Sequence, residues 1–216
     1  MRKNSTRRVT GRVLLTLGCV AATVLSGTAA GAAERLPRTV ADTHTGPGFG
    51  AGRDGRCVVV YFDLGETLIH TAEDKSIGYM PGAAAHLRAL RARHIPVGLI
   101  TNVPSSWGAT DAERAAELKR VVDKDWKDTR PFDWADFGDR IFTPRTEAER
   151  KPAPVLWQRA KDAAGGCRVV YQAETDDEIR AGRALGYVTY LVGRRHWPAY
   201  MPVRLITALA RLPRVP

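Results

Sequence analysis

Apolar residues in this chain come in two rhythms. Short unbroken runs alternate with longer stretches in which apolar positions recur every three or four residues. The first run covers 57–63, Cys-Val-Val-Val-Tyr-Phe-Asp, and stops at a carboxylate and a turn. A strand buried on both faces of a parallel sheet reads this way. Residues 82–94 follow, with Leu87 and Leu90 on one side and Pro81 just ahead, which is the pattern of a helix start. The alternation continues, with strands predicted at 96–101, 140–143, 168–173 and 187–192 and helices at 111–126, 152–164, 176–185 and 203–212. Strands separated by helices indicate a parallel sheet covered on both faces. The prediction is one Rossmann-like three-layer α/β/α domain over 57–216, with a five-stranded parallel sheet.

The chain ahead of this domain has a different character. Residues 1–32 open with Arg2, Lys3, Arg7, Arg8 and Arg12, continue as a weakly apolar run, and end in small residues around Ala30-Gly31-Ala32. That is the layout of a secretory signal peptide. The alternative is an uncleaved membrane anchor. Residues 33–56 read as a flexible linker, because Gly46, Gly48, Gly50, Gly52 and Gly55 surround Pro47 with no apolar period. The expected location is secreted or extracytoplasmic, or membrane-anchored if the leader is retained.

The formal net charge of +10 invites a nucleic-acid partner, but the five basic residues of the leader supply half of it. No basic stripe interleaved with aromatics remains, so nucleic acid is disfavoured.

Candidate chemistry gathers at strand ends. Asp63 ends the first strand, Thr101 the second and Glu174 the fourth, while Lys151 precedes the helix leading to the fourth. In a parallel sheet these ends share one edge, where open α/β folds bind ligands. A carboxylate nucleophile, a hydroxyl, a cation and a second carboxylate suit phosphoryl transfer, and paired acids suit Mg²⁺. Singly, each has an ordinary role: Asp63 as a strand-ending cap, Thr101 as a turn cap with Asn102, Lys151 as a solvated lysine. Asp176, Asp177 and Glu178 favour a helix N-terminus in any case.

Together the segments resemble the haloacid dehalogenase (HAD) superfamily of hydrolases over most of the domain. The matching motifs are Val58 to Leu68, Gly98-Leu99-Ile100-Thr101-Asn102, Arg150-Lys151-Pro152-Ala153-Pro154, and Val169 to Glu174 with the acidic segment that follows. The resemblance implies Asp63 as nucleophile and metal ligand, and Thr101 and Asn102 as phosphate-binding. It further implies Lys151 as the partner of Asp63, and Glu174 with Glu178 or Asp177 completing a Mg²⁺ site to which Gly65 lends its carbonyl. Two departures stand out. Gly65 replaces the second Asp of the phosphatases, which protonates the leaving oxygen and activates water; losing such a group costs about 10²–10⁴ in rate. Glu66, one residue on, is a candidate substitute. Ala173-Glu174 replaces Gly-Asp. The dehalogenase branch also lacks the second Asp, but it carries a helical cap for which this chain has no room. An uncapped crevice implies a bulky phosphorylated substrate, small or macromolecular, or a partner chain acting as lid; oligomeric state is left open.

The same fold would make the first and fourth strands neighbours. With Asp63 and Glu174 level, Cys57 and Cys167 meet at the other end, offset by one residue and about 5.8 Å apart. That permits a disulfide, which fits an oxidising compartment. The expected function is an exported, Mg²⁺-dependent phosphatase-like hydrolase, slow for want of the second Asp. The alternative is a non-catalytic relative that binds a phosphorylated ligand or a protein.

Overall fold

The computed structural model describes residues 57–212. The expected signal peptide and linker lie outside the described residues. Five parallel strands form one sheet: β1 (Val58–Phe62), β4 (Val97–Ile100), β5 (Ile141–Phe142), β6 (Arg168–Ala173) and β7 (Val188–Leu191), in the order β5-β4-β1-β6-β7. A two-stranded antiparallel hairpin, β2 (Ile69–Thr71) and β3 (Ile77–Tyr79), is set between β1 and α1 (Ala83–Arg91). The remaining helices are α2 (Asp111–Lys124), α3 (Val155–Ala163), α4 (Asp176–Ala184) and α5 (Val203–Arg211).

All five residues of β1 are buried, and alternate ones serve different cores. Val58, Val60 and Phe62 pack with residues of α1, α2 and α5. Val59 and Tyr61 pack with α3 and α4 through Leu156, Trp157, Ala160 and Ile179. The chain winds from β1 outward to β4 and β5, then returns across the sheet to β6 and β7. The strand order therefore reverses between β1 and β6, and such a switch point leaves a crevice at the carboxyl ends of the strands.

Close packing fixes Gly98 in β4. A Cβ there would stand 2.4 Å from the ring of Tyr61 and 2.7 Å from the carbonyl oxygen of Arg140. Tyr61 in turn donates to the Ala160 carbonyl, so the ring has no room to retreat.

Several boundaries differ from the sequence expectation for identifiable reasons. Helix α3 starts at Val155, not at 152, because Pro152 and Pro154 each disfavour helical geometry in the residue before them. Helix α2 begins after Thr110, which forms a capping box with Glu113. It stops at Lys124, and Trp126 instead bridges to Ile77 of the hairpin.

Cys57 and Cys167 are joined, with 4.8 Å between their Cα atoms. The register differs from the expected one. Val58 pairs with Arg168, so the two cysteines are level, and the one-residue offset falls at the other end. Asp63 is thus level with Ala173, and Glu174 stands one residue beyond. By chain entropy a bond closing a loop of this length contributes up to about 4.7 kcal/mol.

The outer end of β5 is held by an ion cluster. Asp111 accepts from Arg145 (2.8 Å), Arg159 (2.7 Å) and the buried Arg114. Arg114 also reaches the Thr143 hydroxyl (3.2 Å) and the Gly108 carbonyl (2.8 Å). Burial pushes the Asp111 carboxyl up, but the three guanidiniums outweigh it and hold it at about 2, against an ordinary 3.8. A depressed carboxyl adds stability that is complete above its ordinary value and disappears as pH falls toward the depressed one. Asp111→Asn is expected to cost about 2 kcal/mol at pH 7, below the loss from a fully buried pair because water still reaches the carboxylate. Urea melts at stepped pH should show this gap closing between pH 4 and 2.

Candidate active site

Asp63 follows the last residue of β1 and is 7% exposed. Its backbone N–H donates to the Gln172 carbonyl at 3.0 Å, which carries the strand geometry one residue past Phe62. Its Oδ1 accepts from Lys151 Nζ at 2.5 Å. The same ammonium lies 2.8 Å from Glu178 Oε1 and 3.4 Å from the Tyr171 hydroxyl. Tyr171 donates to Glu178 Oε2 at 2.5 Å. One cation is therefore shared by two carboxylates, with a phenol closing the ring of contacts.

Lys151 sits far along the chain from Asp63, and Asn102 places it there. Asn102 Oδ1 accepts from the Lys151 N–H (2.8 Å), and its Nδ2 donates to the Lys151 carbonyl (3.2 Å). This two-point grip, at the head of the cis Lys151–Pro152 peptide, holds the backbone while the side chain reaches inward. The Asn102 side chain is committed to this grip, and the phosphate role expected at this position belongs to the backbone that follows Thr101. Thr101 is buried one residue past the end of β4, and its N–H donates to the Phe142 carbonyl at 3.1 Å. Because Phe62 pairs with Leu99, Thr101 stands one residue beyond the level of Asp63.

Glu174 follows β6, and its Oε2 accepts from the Thr67 hydroxyl at 2.5 Å. Thr67 is fully buried, and its carbonyl accepts from the Tyr200 hydroxyl at 2.6 Å. The first-motif turn is thereby pinned from both sides. Glu66 points elsewhere. Its carboxylate meets His70 Nδ1 at 2.8 Å and the Thr71 N–H at 3.3 Å, on the exposed side of the hairpin. It takes no part in the Lys151 network. At Gly65 an added Cβ would meet nothing within 4 Å, and its φ lies outside the left-handed region, so neither space nor backbone requires glycine there.

Burial pushes the Asp63 carboxyl up; the Lys151 charge and hydrogen bond oppose this, and the Glu174 charge adds to it. Glu178 is likewise raised, first by burial and then by Asp63, with Lys151 opposing. The Tyr171 hydroxyl is driven well above its ordinary value by burial and by the three carboxylates around it, so it stays a neutral donor. The site carries more negative than positive charge and favours a further cation or an arriving positive centre.

Among the described residues, no group of three or more His, Cys, Asp or Glu side chains is arranged to hold a metal ion. The four-member set of Asp63, Gly65, Glu174 and Glu178 is thus not assembled as a cage. Both Glu178 oxygens are engaged by Lys151 and Tyr171. Glu174 accepts from Thr67, and Asp63 accepts from Lys151 and from the Leu64 N–H. Two carboxylates and a backbone carbonyl fit Mg²⁺ held jointly with water and a substrate phosphate.

Tyr171 was not legible as a site residue. In Val-Val-Tyr-Gln-Ala it reads as strand core, and its ring does pack there, 5.8 Å from that of Trp157; only the hydroxyl reaches the crevice.

Removing Lys151 leaves Asp63 and Glu178 buried without a counter-charge. Lys151→Met is expected to lose about 3–5 kcal/mol at pH 7. Carboxyls raised in the folded state penalise folding once ionised, so this variant should gain stability as pH is lowered from 7 to 5, the reverse of the Asp111 behaviour. Chemical denaturation across that range reads the sign directly.

No family model and no curated protein matches the chain. Solved structures do. A HAD-family enzyme of Bacteroides thetaiotaomicron, in complex with magnesium and inorganic phosphate, is 14% identical, with a TM-score of 0.45 over 65% of this chain and 97% of that one. The L-2-haloacid dehalogenase RSc1362 is 12% identical, with a TM-score of 0.46 over 67% and 89%. A HAD-like phosphatase of Mesorhizobium loti is 14% identical, with a TM-score of 0.43 over 71% and 84%. Each TM-score is below 0.5.

Proposed function

We propose that the chain is a HAD-like hydrolase of phosphoric esters or anhydrides, with Asp63 as nucleophile. The observation that carries this is the contact of 2.5 Å between Lys151 Nζ and Asp63 Oδ1, at the switch point of the sheet and beside Glu174. An Asp63 oxygen attacks phosphorus, the bond to the leaving oxygen breaks, and a phosphoaspartate forms. Lys151 opposes the upward push of burial on the Asp63 carboxyl and offsets charge on the transferred group. The Thr101 hydroxyl and nearby backbone N–H groups bind the phosphoryl oxygens. Mg²⁺ held by Asp63, Glu174 and the Gly65 carbonyl would supply further charge to those oxygens.

Proton transfer is the weak step. No acid stands at 65, and Glu66 is tied to His70. A leaving group that departs as a stable anion needs no proton, so aryl and acyl phosphates should be cleaved faster than alkyl phosphates. The hairpin is the only insertion between β1 and α1, so the crevice is uncapped and open to bulky phosphorylated substrates.

A Mg²⁺-supplemented panel of aryl, acyl and alkyl phosphates tests the reading. Asp63→Asn should abolish turnover. Gly65→Asp, entering open space, should raise the rate on alkyl phosphates by about 10²–10⁴. A wild type that turns over no substrate, while Gly65→Asp does, favours the second reading, a phosphate-binding relative that has lost catalysis; the side chain of Glu66 turned to His70 supports it.

Export is part of the proposal. The Cys57–Cys167 bond supports an oxidising compartment. No helix among the described residues is long and apolar enough to cross a membrane. Intact-mass measurement of the protein from culture medium, without reductant, is expected to give a chain shortened by its leader and lacking free thiols at 57 and 167.

A further inference from the structure

Beyond the catalytic crevice, a second recess lies along the outer side of the sheet. It occupies about 250 Å³ between α4 and the outer strand β7, lined by Asp176, Arg183, Tyr190, Arg194 and Trp197 among others. Among the described residues Trp197 is the most exposed of the large apolar side chains, at 60%. The Arg194 guanidinium lies over its ring, 5.3 Å from the centroid.

The loop is built to keep the indole there. The Trp197 N–H closes a turn on the Arg194 carbonyl at 3.1 Å, and Gly193 N–H donates to Ala199 at 3.3 Å. The Tyr190 hydroxyl fastens the Pro198 carbonyl at 2.5 Å. Charge is also uncommitted. Arg91, Arg114, Arg120, Arg145, Arg159 and Arg180 all pair with carboxylates. Among the described residues Arg194 meets no carboxylate, and Arg183 touches only the Thr189 hydroxyl, at 3.4 Å. Two guanidiniums against the one lining carboxylate, Asp176, leave the recess net positive beside an exposed indole, which suits a flat ring bearing an anion. A nucleobase stacks on indole, and arginine binds phosphate through a planar fork.

We propose that this recess binds a nucleoside monophosphate, with its base on the free face of Trp197 and its phosphate on Arg194 and Arg183. The site is separate from Asp63 and does not depend on the hydrolase reading. Calorimetric and tryptophan-fluorescence titrations of the full chain with AMP, adenosine, inorganic phosphate and a tetraglutamate peptide test it. AMP should bind tightest and quench fluorescence. Arg194→Ala should weaken AMP by about tenfold or more, and Trp197→Leu should weaken it and remove the quench. Both side chains are exposed, so thermal midpoints should not move. The same affinity is expected in Asp63→Asn, which prevents turnover during the titration. The proposal is overturned if AMP binds no better than adenosine or phosphate, or keeps its affinity in both recess variants. It is equally overturned if AMP binding is lost in Asp63→Asn, or if tetraglutamate matches AMP, which would make the patch protein-facing.

Discussion

A single buried ammonium organises the working edge of this protein. Lys151 stands between Asp63 and Glu178, nearly out of water. Taking such charges from solvent costs several kcal/mol each, and only close pairing repays it. The pairing exists because three separate pieces of chain arrive together: the end of β1, the run from β6 into the first turn of α4, and the loop before α3. Asn102 then fixes the lysine backbone from the end of β4. The sheet order makes this convergence possible, since β1 lies between β4 and β6 and the loop before α3 crosses above them.

Around that centre the structure spends its other polar bonds on rigidity. Thr67 joins the first turn to Glu174, and Tyr200 joins that turn to the chain before α5. Gln172 extends the same scaffold, since its Oε1 accepts from the Met201 N–H while its Nε2 faces the ring of His86. Burial alone pushes His86 down to about 4, so it is a neutral packing group at ordinary pH. The hairpin is fastened as well. Ile77 exchanges backbone bonds with Asp125 and Lys127, and Tyr79 packs among Trp126 and Phe132.

Much of the fold was legible because buried parallel strands write themselves as apolar runs, as β1, β4 and most of β6 do, while the edge strand β7 is only half-buried. The hairpin was not legible. His70 and Thr71 are exposed, and three-residue strands leave no alternation to detect. The cysteine pair was legible from strand adjacency, while its level register was not, because a one-residue shift changes neither apolar pattern nor spacing. At the site, the acids and the lysine announced themselves by type. Their pairing did not: Glu178 reads equally as a helix-start acid or a metal ligand, and only the fold turns it toward Lys151. Asn102 and Tyr171 show the same limit. A side chain's type indicates what it can bond to, and the tertiary contacts decide which bond it makes.

The position of β1 has a consequence for how the chain comes into being. The most apolar strand is the earliest of the described strands to leave the ribosome, yet its neighbours are β4 and β6, and β6 is completed only at Ala173. Until then Val58–Phe62 has no finished groove to enter. A nascent chain held open so long is well suited to threading through a translocation pore. It is also exposed to self-association, since a short β-prone run without charge or proline is a template for aggregation.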